Sequence, residues 1–507
     1  MPIPVIDIFA GPGGLGEGFS SRLKKDDERI FKIKLSIEMD EFAHRTLELR
    51  AFVREFPHKK APDDYYDYLR GNLSREELFK NHHEEAERAK NEAWCAELGK
   101  EPDAEVDRRI RTALGSKPDK WVLIGGPPCQ AYSLLGRWRQ KQQDEKYKKD
   151  ERHFLYRQYL RILAVHQPPV FVMENVKGLL STTVNNVRIF DKIREDLKHP
   201  LASTGLGSKD DLEYNFYPLI PTQGETTGEY EPEDFIIRAE EFGIPQARHR
   251  LIILGVRSDW EPKPSLLEAN QDSVFIEDVL KGLPRLRSGL SKEEDSSKNW
   301  QQAIRELSSA TWLKNPKVSL ELKRRLILET SKVGRRLKRG NLFLNEGTKP
   351  EKLASWFNDP KLHGVCNHET RSHIRADLHR YFFAAVFAKE FKRSPTLEDF
   401  PEELLPLHKN IVSAMKESKF NDRFRVQVAG RPSTTVVSHI SKDGHYYIHY
   451  DPTQCRSLTV REAARLQTFP DNYFFEGPRT EQYHQVGNAV PPRLAWQIAE
   501  IVAELLE

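Results

Sequence analysis

Four short apolar runs in the first half of the chain each end at a glycine turn or a chemically loaded residue. PVIDIF (residues 4–9) runs into GPGG, IKLSI (33–37) into Glu38, WVLI (121–124) into GGPPCQ, and VFVM (170–173) into ENVKGLL. Short Val- and Ile-rich runs bounded by turn residues read as strands buried on both faces. Helical patterns lie between them: from about Leu15, over residues 42–56, and over residues 152–166. Residues 235–239 and 251–256 look like two more strands, flanking GIPQARHR. Strands alternating with helices over residues 1–257 imply an α/β fold built on a doubly wound parallel sheet. Ligands of such sheets bind beyond the carboxyl ends of the strands, where all four motifs fall.

Gly11, Gly13 and Gly16 spell G-x-G-x-x-G. Glycines allow a tight turn and close backbone approach to a ligand. Glu38, at the next strand end, is placed to accept hydrogen bonds from ribose hydroxyls. The pair suits a dinucleotide or any other adenosine cofactor, and by itself it also suits a plain strand–helix turn. Cys129 follows Pro127 and Pro128, whose fixed φ angles reduce loop freedom, so a nucleophile there would be rigidly presented. An inert buried thiol is the alternative. Arg137, Arg139, Lys141, Lys146, Lys148 and Lys149 follow in a basic run, which could close on phosphates or face solvent. A carboxyl at Glu174, after four apolar residues, is expected to be half-buried and able to donate a proton, or else to cap a turn. Gln246, Arg248 and Arg250 alternate, which in an extended segment points them to one side, into a cleft or along an exposed edge.

The chain has 507 residues, enough for two or three domains. A net charge of +3 announces no global nucleic-acid field, so any such surface must be local. The four cysteines lack C-x-x-C spacing, which argues against a disulfide framework and suits a reducing, cytoplasmic setting. No apolar run approaches membrane-spanning length, and a first strand starting by Ile3 leaves no room for a signal peptide. Residues 57–117 are charged and helix-rich, either an extra lid or DNA-contact module or, preferably, a solvated helical insertion. EPKP (261–264) reads as a linker, and residues 265–424 as charged and mostly helical. TTVVSHI and HYYIHY read as β segments around a Lys442-Asp443-Gly444 turn. LTVREAARLQT (458–468) reads as an amphipathic helix stopped by Pro470, and residues 493–506 as a closing helix.

Taken together, these motifs closely resemble the cytosine carbon-5 DNA methyltransferases of bacterial restriction–modification type. DIFAGPGGLGEGF resembles that family's cofactor loop and IEMDEFA its second cofactor motif. GGPPCQAYS resembles its nucleophile segment, MENVKGL its Glu-Asn-Val, and QARHRLIILGVR its Gln-x-Arg-x-Arg. RSLTVREAARLQTFPD and QVGNAVPPRLAWQIA resemble its two late motifs. All occur in the family's order, across nearly the whole chain.

The resemblance implies a Rossmann-like S-adenosylmethionine-dependent catalytic domain over residues 1–257, with the helical insertion at about 57–117. It also implies a second, smaller target-recognition domain over 258–480 and a C-terminal segment, 481–507, returning to the first. By resemblance Cys129, Glu174, Arg248 and Arg250 are the catalytic group. Phe9, Gly11, Gly13, Gly14, Gly16, Glu38, Pro127, Asn488 and Val490 hold S-adenosylmethionine, and Gln130, Ser133, Arg137 and Gln246 contact DNA. Asp63, Asp64 and Asp67 are candidates for the carboxylate that meets the adenine amino group. No metal is implied. Cys366 and two histidines in CNHETRSH (366–373) have no fourth ligand at ordinary spacing, and a polar, DNA-facing helix start is preferred there. The implied function is sequence-specific methylation of a flipped-out cytosine in duplex DNA. The implied setting is a cytoplasmic monomer, paired with a separately acting restriction endonuclease. An RNA cytosine-5 methyltransferase on the same scaffold and a non-catalytic DNA-binding regulator are the alternatives.

Overall fold

The computed structural model describes residues 1–115, 118–128, 153–184, 187–222, 230–270, 272–334, 336–406 and 421–507. Its centre is an eight-stranded sheet. The strands are β1 (Ile3–Ile8), β2 (Phe31–Glu38), β3 (Ala93–Cys95), β4 (Val122–Gly125), β5 (Val170–Val176), β6 (Tyr214–Tyr217), β7 (Ile236–Arg238) and β8 (His249–Arg257). The order is β3-β2-β1-β4-β5-β8-β6, with β7 also paired to β8.

The sheet is mixed, which corrects the expectation of a wholly parallel one. β3, β2, β1, β4 and β5 run parallel, whereas β8 is antiparallel to β5, β6 and β7. β8 inserts between β5 and β6, so residues 249–257 meet the end of β5 head-on: Arg250 pairs with Val176 and Ile252 with Glu174.

Alternate residues of each central strand enter opposite cores. Ile6, Leu123, Phe171 and Leu251 belong to one, under the helices Asp103–Leu114, His153–His166 and Ile189–Lys198. Val5, Val122, Val172 and Ile252 belong to the other, under α1 (Gly14–Ser20) and the C-terminal helix Pro492–Leu506. Burial on both faces explains why these strands are apolar without alternation. The C-terminal helix sits so close to α1 that a Cβ on Gly18 would lie 2.4 Å from the Ala495 methyl.

The charged 57–117 stretch is not simply a solvated insertion. Its helices Asp63–Arg70, Arg75–Asn81 and His83–Glu92 bury Tyr65, Tyr66, Leu69, Leu78 and Ala89, and it supplies the edge strand β3. The later chain packs around two further cores, one centred on Trp300 and the helix Arg375–Phe391, the other on Val436, Leu466 and Val486.

Three local expectations are overturned there. CNHETRSH is a strand, Val365–Glu369, followed by Ser372–His373, with Cys366 and His368 fully buried; the helix starts only at Arg375. TTVVSHI and HYYIHY do not form a hairpin: Ser433–Thr434 pairs with Gln246–Ala247, and Ser438–Ser441 is a 3-10 turn. The helix Val460–Leu466 is buried on every side instead of being amphipathic, because its charges pair internally. Arg456 grips Glu462 at 2.6 and 2.7 Å, and Arg465 grips Asp471 at 2.8 Å through two nitrogens. Among the described residues no helix is long and apolar enough to cross a membrane.

Candidate active site

The carboxyl ends of β1, β2, β4 and β5 come together at one edge of the sheet. After β1, Phe9 and Gly11 take left-handed φ values of 57°, and Gly13 takes 91° as the cap before α1. Gly13 N–H returns to the Ala10 carbonyl at 2.9 Å, closing the turn. A Cβ added at Gly11 would meet nothing within 4 Å, so this part of the loop faces open space. One at Gly14 would lie 2.3 Å from the Val490 carbonyl oxygen, so the loop is seated directly on the 489–490 main chain. Asn488, exposed at the end of the helix Arg479–Asn488, stands beside that contact in sequence.

Glu38 closes the loop from the next strand end. Its carboxylate accepts from Gly11 N–H and from Asp40 N–H, both at 2.8 Å. Burial pushes the Glu38 carboxyl above the usual range, against the pull of those two donors. Under the loop, Asp7 is fully buried, with the Gly16 N–H beside its carboxylate. Burial raises its pKa to about 8, with Arg54 opposing and Glu38 and Glu92 adding to the rise. Asp7 was not singled out by the sequence; an acid inside an apolar run is its only signal.

The adenine-side candidates fall elsewhere. Asp63, Asp64 and Asp67 lie on the helix Asp63–Arg70, where they meet Lys361, Asn81 and Arg70. The strand end next to Glu38 is instead that of β3, where Cys95 pairs with Glu38 in register and Glu97 follows two residues later.

Beyond β4 and β5 lies the second half of the site. Asn175, 3% exposed, donates from Nδ2 to the Pro127 carbonyl at 3.0 Å and accepts from Val176 N–H at 2.9 Å. It therefore ties β5 to the Gly125–Pro128 turn, two residues short of Cys129. Cys129, Gln130, Ser133 and Arg137 lie outside the described residues. Glu174 is half-buried, with Oε1 2.8 Å from Arg250 Nε. A Cβ on Gly126 would sit 2.9 Å from Glu174 Oε2, so a larger residue there would displace this carboxylate.

The Q-x-R-x-R segment does not behave as one extended face. It breaks at Arg248, whose N–H bonds the Gln246 carbonyl at 2.9 Å. Gln246 is fully buried. Its Nε2 donates to the Leu466 carbonyl and to Gln467 Oε1, and its Oε1 accepts from Val436 N–H. Arg248, 2% exposed, donates to the Val436 and Gly487 carbonyls, and burial beside Arg250 lowers its pKa to about 9. Of the three, only Arg250 lines a cleft of about 720 Å³. Lys177 and His249 share its near wall, and Arg425, Thr434, His439 and Tyr446 form the far one. These far-wall residues were missed because their segment carries no local motif. Among the described residues the cleft presents Lys177, Arg250 and Arg425 and no lining carboxylate, a local basic surface on a nearly neutral protein.

A model of the family described as C-5 cytosine-specific DNA methylase matches residues 87–200 and 222–504. The type II methyltransferase M.Bpa9945I of Bacillus paralicheniformis is 32% identical, over 99% of each chain. The DNA (cytosine-5-)-methyltransferase M.ApeKI of Aeropyrum pernix is 28% identical, over 77% of this chain and 82% of that one. A crystal structure of a prophage-encoded E. coli protein, described as a candidate DNA modification methyltransferase, superposes with a TM-score of 0.53. It does so at 18% identity over 99% of both chains, which establishes a shared fold.

Proposed function

We propose a mechanism and a site for this chain from the premise that it belongs to the C-5 cytosine-specific DNA methylase family. It is a DNA cytosine-5 methyltransferase of restriction–modification type. The methyl donor is S-adenosylmethionine, which supplies an electrophilic methyl group from a sulfonium. The glycine loop fits its methionine end: open space at Gly11 and a left-handed Gly13 allow backbone contact with a zwitterion, while Gly14 lets the loop seat on the Val490 main chain. Phe9 would face the adenine and Glu38 the ribose, with Pro127, Asn488 and Val490 completing the site.

The substrate cytosine is flipped out of duplex DNA, since its carbon 5 is out of reach inside the helix. Cys129, as a thiolate, attacks carbon 6 and makes carbon 5 nucleophilic. Glu174 hydrogen-bonds the ring nitrogen and exocyclic amine and stabilises the adduct by protonation. Arg250 holds the cytosine carbonyl oxygen. Arg248 braces the site from within, through the Val436 and Gly487 carbonyls. Once carbon 5 is methylated, loss of its proton expels Cys129. Gln130, Ser133 and Arg137 would contact DNA. The sealed position of Gln246 favours a supporting role over a DNA contact. Residues 258–480 would carry target recognition, residues 481–507 would complete the catalytic domain, and the protein would act as a cytoplasmic monomer beside a separate endonuclease.

The observation that carries this reading is the Glu174–Arg250 pair, held at adjoining strand ends beside the turn that leads to Cys129, with Arg250 lining the basic cleft. Incubation with labelled S-adenosylmethionine and duplex DNA transfers label to cytosine, and bisulfite sequencing locates the site. A Cys129→Ala protein that still methylates would overturn the covalent mechanism.

A further inference from the structure

A second cavity, of about 300 Å³, lies beside the C-terminal half of α1. Among the described residues it shares no lining residue with the basic cleft, and none of those assigned above to cofactor or cytosine reaches it. Its walls come from five stretches: Glu17 and Arg29; Arg50, Arg54 and Lys59; Trp356 and Asp359; Asn472; and Arg493 with Trp496.

Cations dominate this cavity. Arg29, Arg50, Arg54, Lys59 and Arg493 face only two acids, and both acids are already engaged. Glu17 is gripped by Arg50 at 2.7 and 2.5 Å. Asp359 accepts from Tyr66 Oη and Asn472 Nδ2, both at 2.6 Å. Arg54, 8% exposed, spends one nitrogen on Glu92 at 2.5 Å, while its Nε and Nη1 have no acceptor; Arg493 Nε has none either. A buried N–H left without an acceptor is costly, and both arginines that carry one line this cavity. The surroundings register the crowding. Burial and the Arg54 charge lower the Arg29 pKa to about 10. Burial, with help from Lys59, Arg29 and Arg50, holds His58 neutral with a pKa of about 4.

One wall is aromatic, with Arg22 over the Trp496 ring at 4.8 Å and the Trp356 ring beside it. The Trp356 and Trp496 rings meet edge-on at 6.5 Å, and Arg493 lies 5.9 Å from each ring. Planar N–H forks recognise phosphate oxygens, and flat half-exposed indoles accept a ring beside them. A monocarboxylate would leave most of the surplus charge uncompensated, whereas a phosphate dianion with several acceptor oxygens answers both the charge and the orphaned donors.

We propose that this cavity binds a small phosphate-bearing anion, either free phosphate or a nucleoside monophosphate. Calorimetric titration of the full chain with orthophosphate, and separately with adenosine monophosphate, tests it. Saturable one-to-one binding is expected, weakened about tenfold or more by Arg493→Ala, with Lys59→Ala as a second variant on a solvent-facing side chain. Equal affinities assign the site to free phosphate; tighter monophosphate binding assigns the indole wall to the base. No saturable binding of either at millimolar concentration, or unchanged affinity in both variants, overturns the proposal. Displacement of the bound anion by a duplex oligonucleotide also overturns it, since the occupant would then be a DNA phosphate.

Discussion

Replacing Asn175 by Ala tests how the turn before Cys129 is held. Asn175 makes two buried hydrogen bonds, to the Pro127 carbonyl at 3.0 Å and from Val176 N–H at 2.9 Å. Removing the amide leaves both partners unsatisfied, at about 1–3 kcal/mol each. The Val176 bond is local and can be replaced by solvent. The Pro127 bond spans two strand ends, and its loss frees the turn. If regaining the active turn geometry costs about 2 kcal/mol, methyl transfer slows roughly thirtyfold. Cofactor affinity, set mainly at the glycine loop, should change far less. Asn175→Gln carries the same amide one methylene too far and should be similarly slow. Single-turnover transfer of labelled methyl to duplex DNA gives the rate, and thermal denaturation gives the stability. A variant that loses stability but keeps the native single-turnover rate would refute the positioning argument.

Two further perturbations probe the loop. Gly14→Ala places a Cβ 2.3 Å from the Val490 carbonyl, forcing a shift of about 1 Å at an overpacking cost of about 1–3 kcal/mol. Binding of S-adenosylhomocysteine should weaken tenfold or more by calorimetry, and native affinity would contradict the seating described for the loop. Asp7→Asn tests the buried acid. With its pKa raised to about 8, folded Asp7 keeps a proton that the unfolded chain releases above the ordinary value of 3.8. That contribution is therefore full below pH 4, falls as pH rises toward 8, and stays lost above. Asp7→Asn should flatten the fall in stability between pH 5 and pH 9 by up to about 4 kcal/mol in chemical denaturation, and an unchanged fall would refute the assignment.

The parts of the fold legible in sequence are those where local pattern and chemistry coincide. β1, β2, β4 and β5 are apolar because both faces are covered, and each ends at a motif. β3 was illegible: AWC is three residues long and follows a charged helix with no turn signal between them. The reversed direction of β8 is equally invisible, since a buried strand looks the same read along either neighbour. The alternation argument at Gln246, Arg248 and Arg250 failed because the backbone turns at Arg248, sending two of the three side chains inward. The 424–450 stretch has β-like composition but spends its main-chain groups on partners far away in sequence. Val436 N–H goes to the Gln246 side chain, and Ile448 N–H to the Arg425 carbonyl.

The way Gln246 and Arg248 hold the late segment has a consequence for how such a protein can change. Val436 offers them its N–H and its carbonyl, Ser433 N–H bonds the Pro245 carbonyl, and Arg248 reaches the Gly487 carbonyl. Every one of these late-segment partners is a peptide group, which any residue except proline can present at the N–H positions. At these bonds the socket reads no side-chain identity; its fixed points are Gln467, whose Oε1 accepts from Gln246, and Gly487, where a Cβ would lie 2.3 Å from the Ser438 nitrogen. The neighbouring far-wall positions, His439 and Tyr446 among them, can be rewritten while the joint stays the same. Target preference could then diverge between relatives by substitution alone, with the two halves of the molecule still docking as before.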